Sequence, residues 1–260
     1  MVYFENEGLK CELNDGILIM KINRENKANA LNHETSYAME DVLNRAELDK
    51  DVRVIIITGA GPKAFCAGED LSELSGSGEC ATVTPHGFGG ITNRLSKKPI
   101  IAAVNGFAVG GGMEIAMSCD LIIAAENAKF GLTEVKVGLI ASTGGLVRLA
   151  RDIPTKLAME MMLTGRVIKA DEALKYNLIN KVVPQDELMN EALELAKTIT
   201  KNAPLSLEFS KMIFHRAKQM SLEDATAYCD IAYRFIEKTA DGIEGPKAFV
   251  EKREPVWQGK

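Results

Sequence analysis

A chain of 260 residues, 46% hydrophobic and 26% charged, has the balance of a soluble globular protein able to bury a substantial core in one large domain with a small appendage. Its formal net charge of -5 gives no broad basic surface, which argues against nucleic-acid binding but leaves room for a local basic patch on a phosphorylated small molecule. The first residues are acidic rather than basic-then-apolar, and no stretch reaches the roughly 18 apolar residues of a membrane helix, so the expected setting is the cytoplasm, away from membranes.

The pattern opens on a hairpin, residues 9–13 and 17–22 in near-alternating apolar order around the turn Asn14-Asp15-Gly16. Asn32 can cap a helix over 33–50, whose apolar positions Tyr37, Met39, Val42, Leu43, Ala46 and Leu48 recur at helical spacing. Three near-continuous apolar runs, 52–58, 100–104 and 121–125, suit strands buried on both faces. Each leads into a glycine-bearing loop: 59–70, 105–112 and 126–131. Residues 76–90, rich in Gly, Ser and Thr, read as a mobile surface segment. From 142 the pattern turns helical: Ser142 or Thr143 caps 144–151, Pro154 opens a helix ending before Gly165, a short helix covers 170–176, and a last strand covers 180–183. Segments 185–201, 205–218 and 222–238 are helical, the last begun by Ser221-x-x-Asp224. No strand is predicted after Pro204, which divides the chain into a core, 1–200, and a helical appendage, 201–260.

Chemistry concentrates in the three loops. Asn105-Gly-Phe-Ala-Val-Gly-Gly-Gly-Met-Glu114 comes straight off a buried strand into a helix. Three consecutive glycines suit a tight turn or backbone approaching a ligand, and free N–H groups at a helix start favour a negative oxygen. Close packing of helix on sheet explains the same glycines. Glu114 falls in the first helical turn among Ile115, Ala116 and Met117, which makes a semi-buried carboxylate reasonable against a solvated one. Ala64-Phe-Cys-Ala-Gly-Glu-Asp-Leu71 forms the second loop. The preceding Gly59-Ala-Gly61-Pro-Lys-Ala64 matches G-x-G-x-x-A, but Pro62 and Phe65 fit a phosphate turn poorly, and Glu79 stands in a Gly/Ser-rich stretch rather than at a strand end. Glu134, in the third loop, is a lone acid among Leu132, Val135 and Val137; burial would raise its pKa and suit it to proton donation, whereas exposure beside Lys136 would make it an ordinary surface glutamate. Cys11, Cys66, Cys80, Cys119 and Cys229 form no C-x-x-C pair and read as mostly buried thiols. His33, His86 and His215 read as surface or cap residues, and no metal-ligand spacing occurs.

Taken together, five segments in order resemble the crotonase (enoyl-CoA hydratase/isomerase) superfamily over nearly the whole chain: residues 23–32, 64–71, 98–112, 130–138 and 245–252. The resemblance implies an α/β spiral of strand-strand-helix turns, a helical C-terminal region that builds trimers or pairs of trimers, and an acyl-CoA thioester as substrate. It assigns an oxyanion hole to the N–H groups of Ala67 and Gly111. Glu114 and Glu134 match both glutamates of the hydratase branch, with water activation on Glu114 and Cα protonation on Glu134. It places coenzyme A along Lys27 and Ala28, beside Ala67, Gly68, Asp70 and Leu71, with Phe249 and Lys252 reaching its nucleotide end. Coenzyme A is then part of the substrate, and neither metal nor redox cofactor is implied. The expected reaction is reversible syn addition of water to a 2-enoyl-CoA. Double-bond isomerisation and non-catalytic acyl-CoA binding are the competing readings. Thr133 stands where a proline usually precedes the second glutamate, and Ile140-Ala-Ser-Thr-Gly-Gly145 replaces a proline-containing turn. With Glu69 beside the oxyanion loop, these departures point away from a plain straight-chain preference.

Overall fold

The computed structural model of the chain describes residues 1–73 and 83–260. Strands β1 (Val2–Glu5), β2 (Leu9–Asn14) and β3 (Ile17–Ile22) form an antiparallel ribbon. Asp15 and Gly16 both take positive φ at the β2–β3 turn, as a tight two-residue hairpin demands. Helix α1 (His33–Leu48) begins where expected, with the Asn32 side chain accepting from the Thr35 N–H. Its buried stripe includes Met39, Val42, Leu43 and Ala46, while Tyr37 and Leu48 lie outside it on the exposed side.

Next come β4 (Val54–Gly59), β5 (Ala64–Cys66), β6 (Val83–Thr84), β7 (Gly87–Phe88), β8 (Ile100–Val104) and β9 (Phe107–Val109), the last leading into α2 (Gly111–Ser118). Strands β10 (Leu121–Ala125) and β11 (Lys129–Gly131) follow, then a 3-10 turn at Glu134–Val137, α3 (Gly145–Asp152) and α4 (Thr155–Thr164). Strand β12 (Ile168–Lys169), α5 (Ala170–Lys175) and β13 (Lys181–Val183) close the sheets. Four helices remain: α6 (Leu188–Thr200), α7 (Pro204–Ala217), α8 (Leu222–Ile236) and α9 (Ala240–Glu251). The last escapes the sequence pattern because Gly242, Gly245 and Pro246 interrupt it.

The main sheet runs β1-β2-β3-β4-β8-β10-β13 and is parallel from β3 onward. Alternate residues of its central strands enter two separate cores: Ile55 and Ile57 one, Val54 and Ile56 the other, where α6 packs. That double burial is why these strands appear as unbroken apolar runs.

The three glycine-bearing segments are not loops throughout, which corrects the sequence reading. Each holds a three-residue strand, and these pair as a second sheet of order β12-β11-β9-β5. Each buried strand of the main sheet thus hands the chain to a short strand of the second, giving the strand-strand-helix spiral. Strands this short, built largely from Gly, Ala and one aromatic, carry no alternation that a sequence pattern could detect.

The segment 76–90 also needs correction where it is described; 76–82 lie outside the described residues. Residues 83–90 form a hairpin, buried at Thr84 and from 87 to 90 rather than lying on the surface throughout, that Glu40 of α1 holds. Glu40 accepts from the Thr84 hydroxyl at 2.6 Å, from Asn44 at 3.0 Å and from Arg94 at 3.1 Å, and the His86 Nδ1 lies 2.6 Å from it. Burial pushes the Glu40 carboxyl up, but the bonds from Thr84, His86 and Asn44 with the Arg94 charge outweigh it and hold the group below its ordinary 4.5.

The native state therefore binds this proton less tightly than the unfolded chain does, so the contribution is complete above the unfolded value and fades as pH falls through the folded one. Glu40→Gln is expected to lower stability by roughly 1–3 kcal/mol at neutral pH. Urea unfolding of both proteins from pH 7 downward checks this; a gap that does not narrow in acid contradicts it.

Candidate active site

The site starts from two glycine contacts. A side-chain carbon on Gly112 would stand 1.9 Å from the Cys66 carbonyl oxygen, so α2 can begin flush against β5 only because that carbon is absent. Gly110, at φ 56, turns the chain from β9 into α2. Close packing and tight turning, the two explanations open for the triple glycine, apply at different members of it. Gly68 then lies against the start of α2, its would-be side-chain carbon 3.1 Å from the Gly111 nitrogen. The segments 59–70 and 105–112 are thereby joined.

Two buried asparagines hold the approach to Ala67. Asn29 donates to the carbonyls of Ala60 at 2.9 Å and Ala64 at 2.7 Å, and Asn105 donates to the same Ala64 oxygen at 3.0 Å. Neither was singled out from the sequence. Asn29 sits in a polar stretch with no periodic signal, and its positive φ of 56 is invisible without coordinates.

Of the expected oxyanion donors, Gly111 N–H has no acceptor among the described residues. Ala67 N–H donates to the Ala28 carbonyl at 3.1 Å. That bond brings the exposed Lys27–Ala28 edge beside the Ala67–Gly68 turn, and Leu31 extends the contact by bonding Gly68 and Asp70. Asp70 is buried and engaged by the Ser72 hydroxyl at 2.6 Å and by Arg24 at 3.1 Å; the Ser72 bond foremost, then Arg24, hold its carboxyl below the usual range against burial. Leu71 is half exposed. Phe249, 84% exposed, and Lys252, at the left-handed end of α9, share no hydrogen bond or ion pair with these candidates among the described residues.

The glutamates occupy contrasting surroundings. Glu114 is 4% exposed; its Oε1 accepts from the Gly145 N–H at 2.8 Å and its Oε2 from the Thr143 hydroxyl at 2.5 Å. Its carboxylate therefore faces the first N–H of α3, where the helix favours negative charge. Thr143 spends its hydroxyl here instead of capping α3, whose preceding residue is Gly144 at φ 107. This corrects the expected Ser142 or Thr143 cap. Glu134 Oε1 comes within 3.4 Å of the place where a side-chain carbon on Gly110 would sit, and its Oε2 is buried without a partner among the described residues. Burial first, then the Glu114 charge, pushes the Glu134 carboxyl above 4.5 against a bond from its own backbone N–H.

The other titratable candidates do not join this pair. Cys66 is fully buried, its thiol pushed up to about 12 by burial. His86 and His215 lie half exposed at the surface, as expected, and face the carboxylates Glu40 and Asp120. A cavity of about 1160 Å³ between α3, α7 and the end of α2 reaches Ser142, Gly144 and Arg148 but neither glutamate.

A model of the enoyl-CoA hydratase/isomerase family matches residues 12–260, and the chain belongs to that family. It is 42% identical to carnitinyl-CoA dehydratase of Escherichia coli K12 over 98% of this chain and 100% of that protein. Crystal structures of an enoyl-CoA hydratase from Mycobacterium tuberculosis H37Rv (37% identity, TM-score 0.93) and a carnitinyl-CoA hydratase from Mycobacterium avium (40%, TM-score 0.77) each cover 98% of this chain and 100% of their own. These relatives put the chain among enzymes of the hydro-lyase type.

The raised Glu134 carboxyl generates a stability prediction. The native state binds that proton more tightly than the unfolded chain, so the favourable contribution is complete below the unfolded value and lost as pH rises through the folded one. Glu134→Gln, neutral at every pH, is expected to melt higher than the unmodified protein at pH 8. Thermal melts from pH 8 to pH 4 should show the gain shrinking in acid; an equal or lower Tm at pH 8 contradicts the burial argument.

Proposed function

We propose that the chain catalyses reversible addition of water to a 2-enoyl-CoA, giving a 3-hydroxyacyl-CoA. The observation that carries this reading is the contrast between its two acids. Glu114 has both oxygens held by donors, as suits a carboxylate taking a proton from water. Glu134 has a buried oxygen with no partner among the described residues and a raised pKa, as suits a carboxylic acid giving one.

In the forward direction water oxygen attacks Cβ as its proton passes to Glu114, and the Cα=Cβ electron pair moves toward the thioester to form an enolate. The Gly111 N–H points its dipole at the enolate oxygen, and the Ala67 N–H joins it by sharing or leaving its bond to Ala28. Glu134 then supplies its proton to Cα, and proton exchange restores both acids. The reaction is redox-neutral and calls on neither metal nor redox cofactor. Lys27 and Ala28, beside the Ala67–Gly68 turn, are proposed to line coenzyme A with Asp70 and Leu71. Phe249 and Lys252 would reach its nucleotide end from a neighbouring copy in a trimer or pair of trimers, and the exposed apolar residues Ile231, Phe235 and Ile243 support such an assembly.

Carnitinyl-CoA is the first acyl group to test, since the full-length relative from Escherichia coli carries that name. The departures at Thr133 and 140–145, with Thr143 bonded to Glu114, agree with a substrate other than a plain straight chain.

Glu114→Gln and Glu134→Gln should each cut hydration of crotonyl-CoA, or dehydration of carnitinyl-CoA, by at least ~10²-fold. Loss or gain of the conjugated thioester absorbance measures it, and near-normal turnover of either folded variant sinks the assignment. Product analysis with a 3-enoyl-CoA separates hydration from isomerisation.

A further inference from the structure

Arg148, on α3, stands behind the turn that holds Glu114. Its Nη1 packs so closely on Gly144 that a side-chain carbon there would lie 2.1 Å away. Gly144 is flanked by the two donors to Glu114, the Thr143 hydroxyl and the Gly145 N–H. The other arm of the guanidinium, Nη2, donates to the Thr92 carbonyl at 2.6 Å. The buried Thr92 in turn accepts, through its hydroxyl, the N–H of Phe88 at 2.8 Å. The Phe88 ring lies against Gly111, its Cε1 2.5 Å from where a side-chain carbon would sit. One side chain thus links the turn gripping Glu114 to the hairpin that backs Gly111.

We propose that Arg148 is a positioning residue for Glu114, bracing the 143–145 turn against Thr92 and setting a fixed positive charge behind the carboxylate. The inference rests on Glu114 being the base. A planar, permanently charged fork suits both tasks, since its arms act in two directions and its charge does not titrate.

The groups around Glu114 support the electrostatic part. The elements packed on α2 are β5, β7, β9 and α3. From β5 the Cys66 side chain faces α2 at Gly112, as a thiol pushed up to about 12 by burial. β7 and β9 bring no titratable side chain. From α3 come Arg148, whose guanidinium burial holds below its ordinary value while the charges of Asp152 and Glu114 oppose that, Asp152 itself, and Arg151, which donates to the Val147 carbonyl. The remaining neighbour is Glu134, a like charge when ionised. Arg148 is the cation of this set on which the Glu114 charge acts, together with that of Asp152.

The test uses the full-length protein as Arg148→Met, Arg148→Gln and Arg148→Lys, with kcat and KM of hydration measured across pH. The neutral variants should lose ~10-fold in kcat at neutral pH with KM changed less than about twofold, and the acid limb of kcat should move up by about one pH unit. Arg148→Lys, which keeps the charge but not the fork, should leave the limb near its original position with an intermediate kcat. A uniform loss at every pH, an unmoved limb in the folded neutral variants, or a lysine variant indistinguishable from methionine overturns the proposal. Arg148→Gln retains a donor for Thr92 should methionine fail to fold; failure of both assigns Arg148 to the fold and likewise overturns it. Full turnover by Glu114→Gln would sink Glu114 as base, whereas an inactive Glu114→Gln with an unmoved limb sinks Arg148 alone.

Discussion

The site depends on the absence of one carbon atom. With no side chain at Gly112, the first turn of α2 lies directly on the Cys66 carbonyl at the end of β5. That contact brings Ala67 and Gly68, just beyond β5, to Gly111, just inside α2. Were α2 displaced by even a methyl group, the two candidate donors would separate, and Glu114 would leave the reach of Gly145 and Thr143. Close packing here is less a matter of stability than of registration, since a shift near 1 Å is large beside hydrogen-bond tolerances.

The second consequence is electrostatic. Glu114, on α2, carries its carboxylate to Thr143 and Gly145, whereas Glu134, on a 3-10 turn, brings its own to Gly110. Their different surroundings, more than their identity as glutamates, divide the proposed labour. Two donors and the start of a helix surround the first; a desolvated oxygen without a partner among the described residues marks the second. A charge on Glu114 adds to burial in making ionisation of Glu134 harder. A ring of supports outside the pair, Asn29, Asn105, Thr92, Arg148 and Glu40, fixes the backbone that carries it. Most of them bond carbonyls or buried acids, interactions that keep loop-like segments rigid without a regular ladder.

Much of this was legible in the residues themselves. The hairpin at Asp15-Gly16, α1 with its Asn32 cap, and the strands at 100–104 and 121–125 follow from local chemistry and apolar periodicity, which act within a few residues. So did the importance of the triple glycine and the placing of Glu114 in the first turn of a helix. What failed was of a different kind. Strands β5, β9 and β11 exist because they pair with one another across dozens of residues, and none has a pattern of its own. Residues 83–90 were misjudged because Glu40, more than forty positions earlier, buries and anchors them.

The sequence by itself determined the family, the strands buried on both faces, the helical C-terminal run and the residues in which chemistry could lie, because these rest on composition, periodicity and ordered motifs. Only the tertiary structure decided that Glu114 is gripped by Gly145 and Thr143, and that, among the described residues, a buried oxygen of Glu134 finds no partner and the Ala67 N–H is engaged by Ala28 while that of Gly111 is not. Those differences depend on desolvation and on donor geometry at a few ångströms, between segments that the chain order leaves far apart.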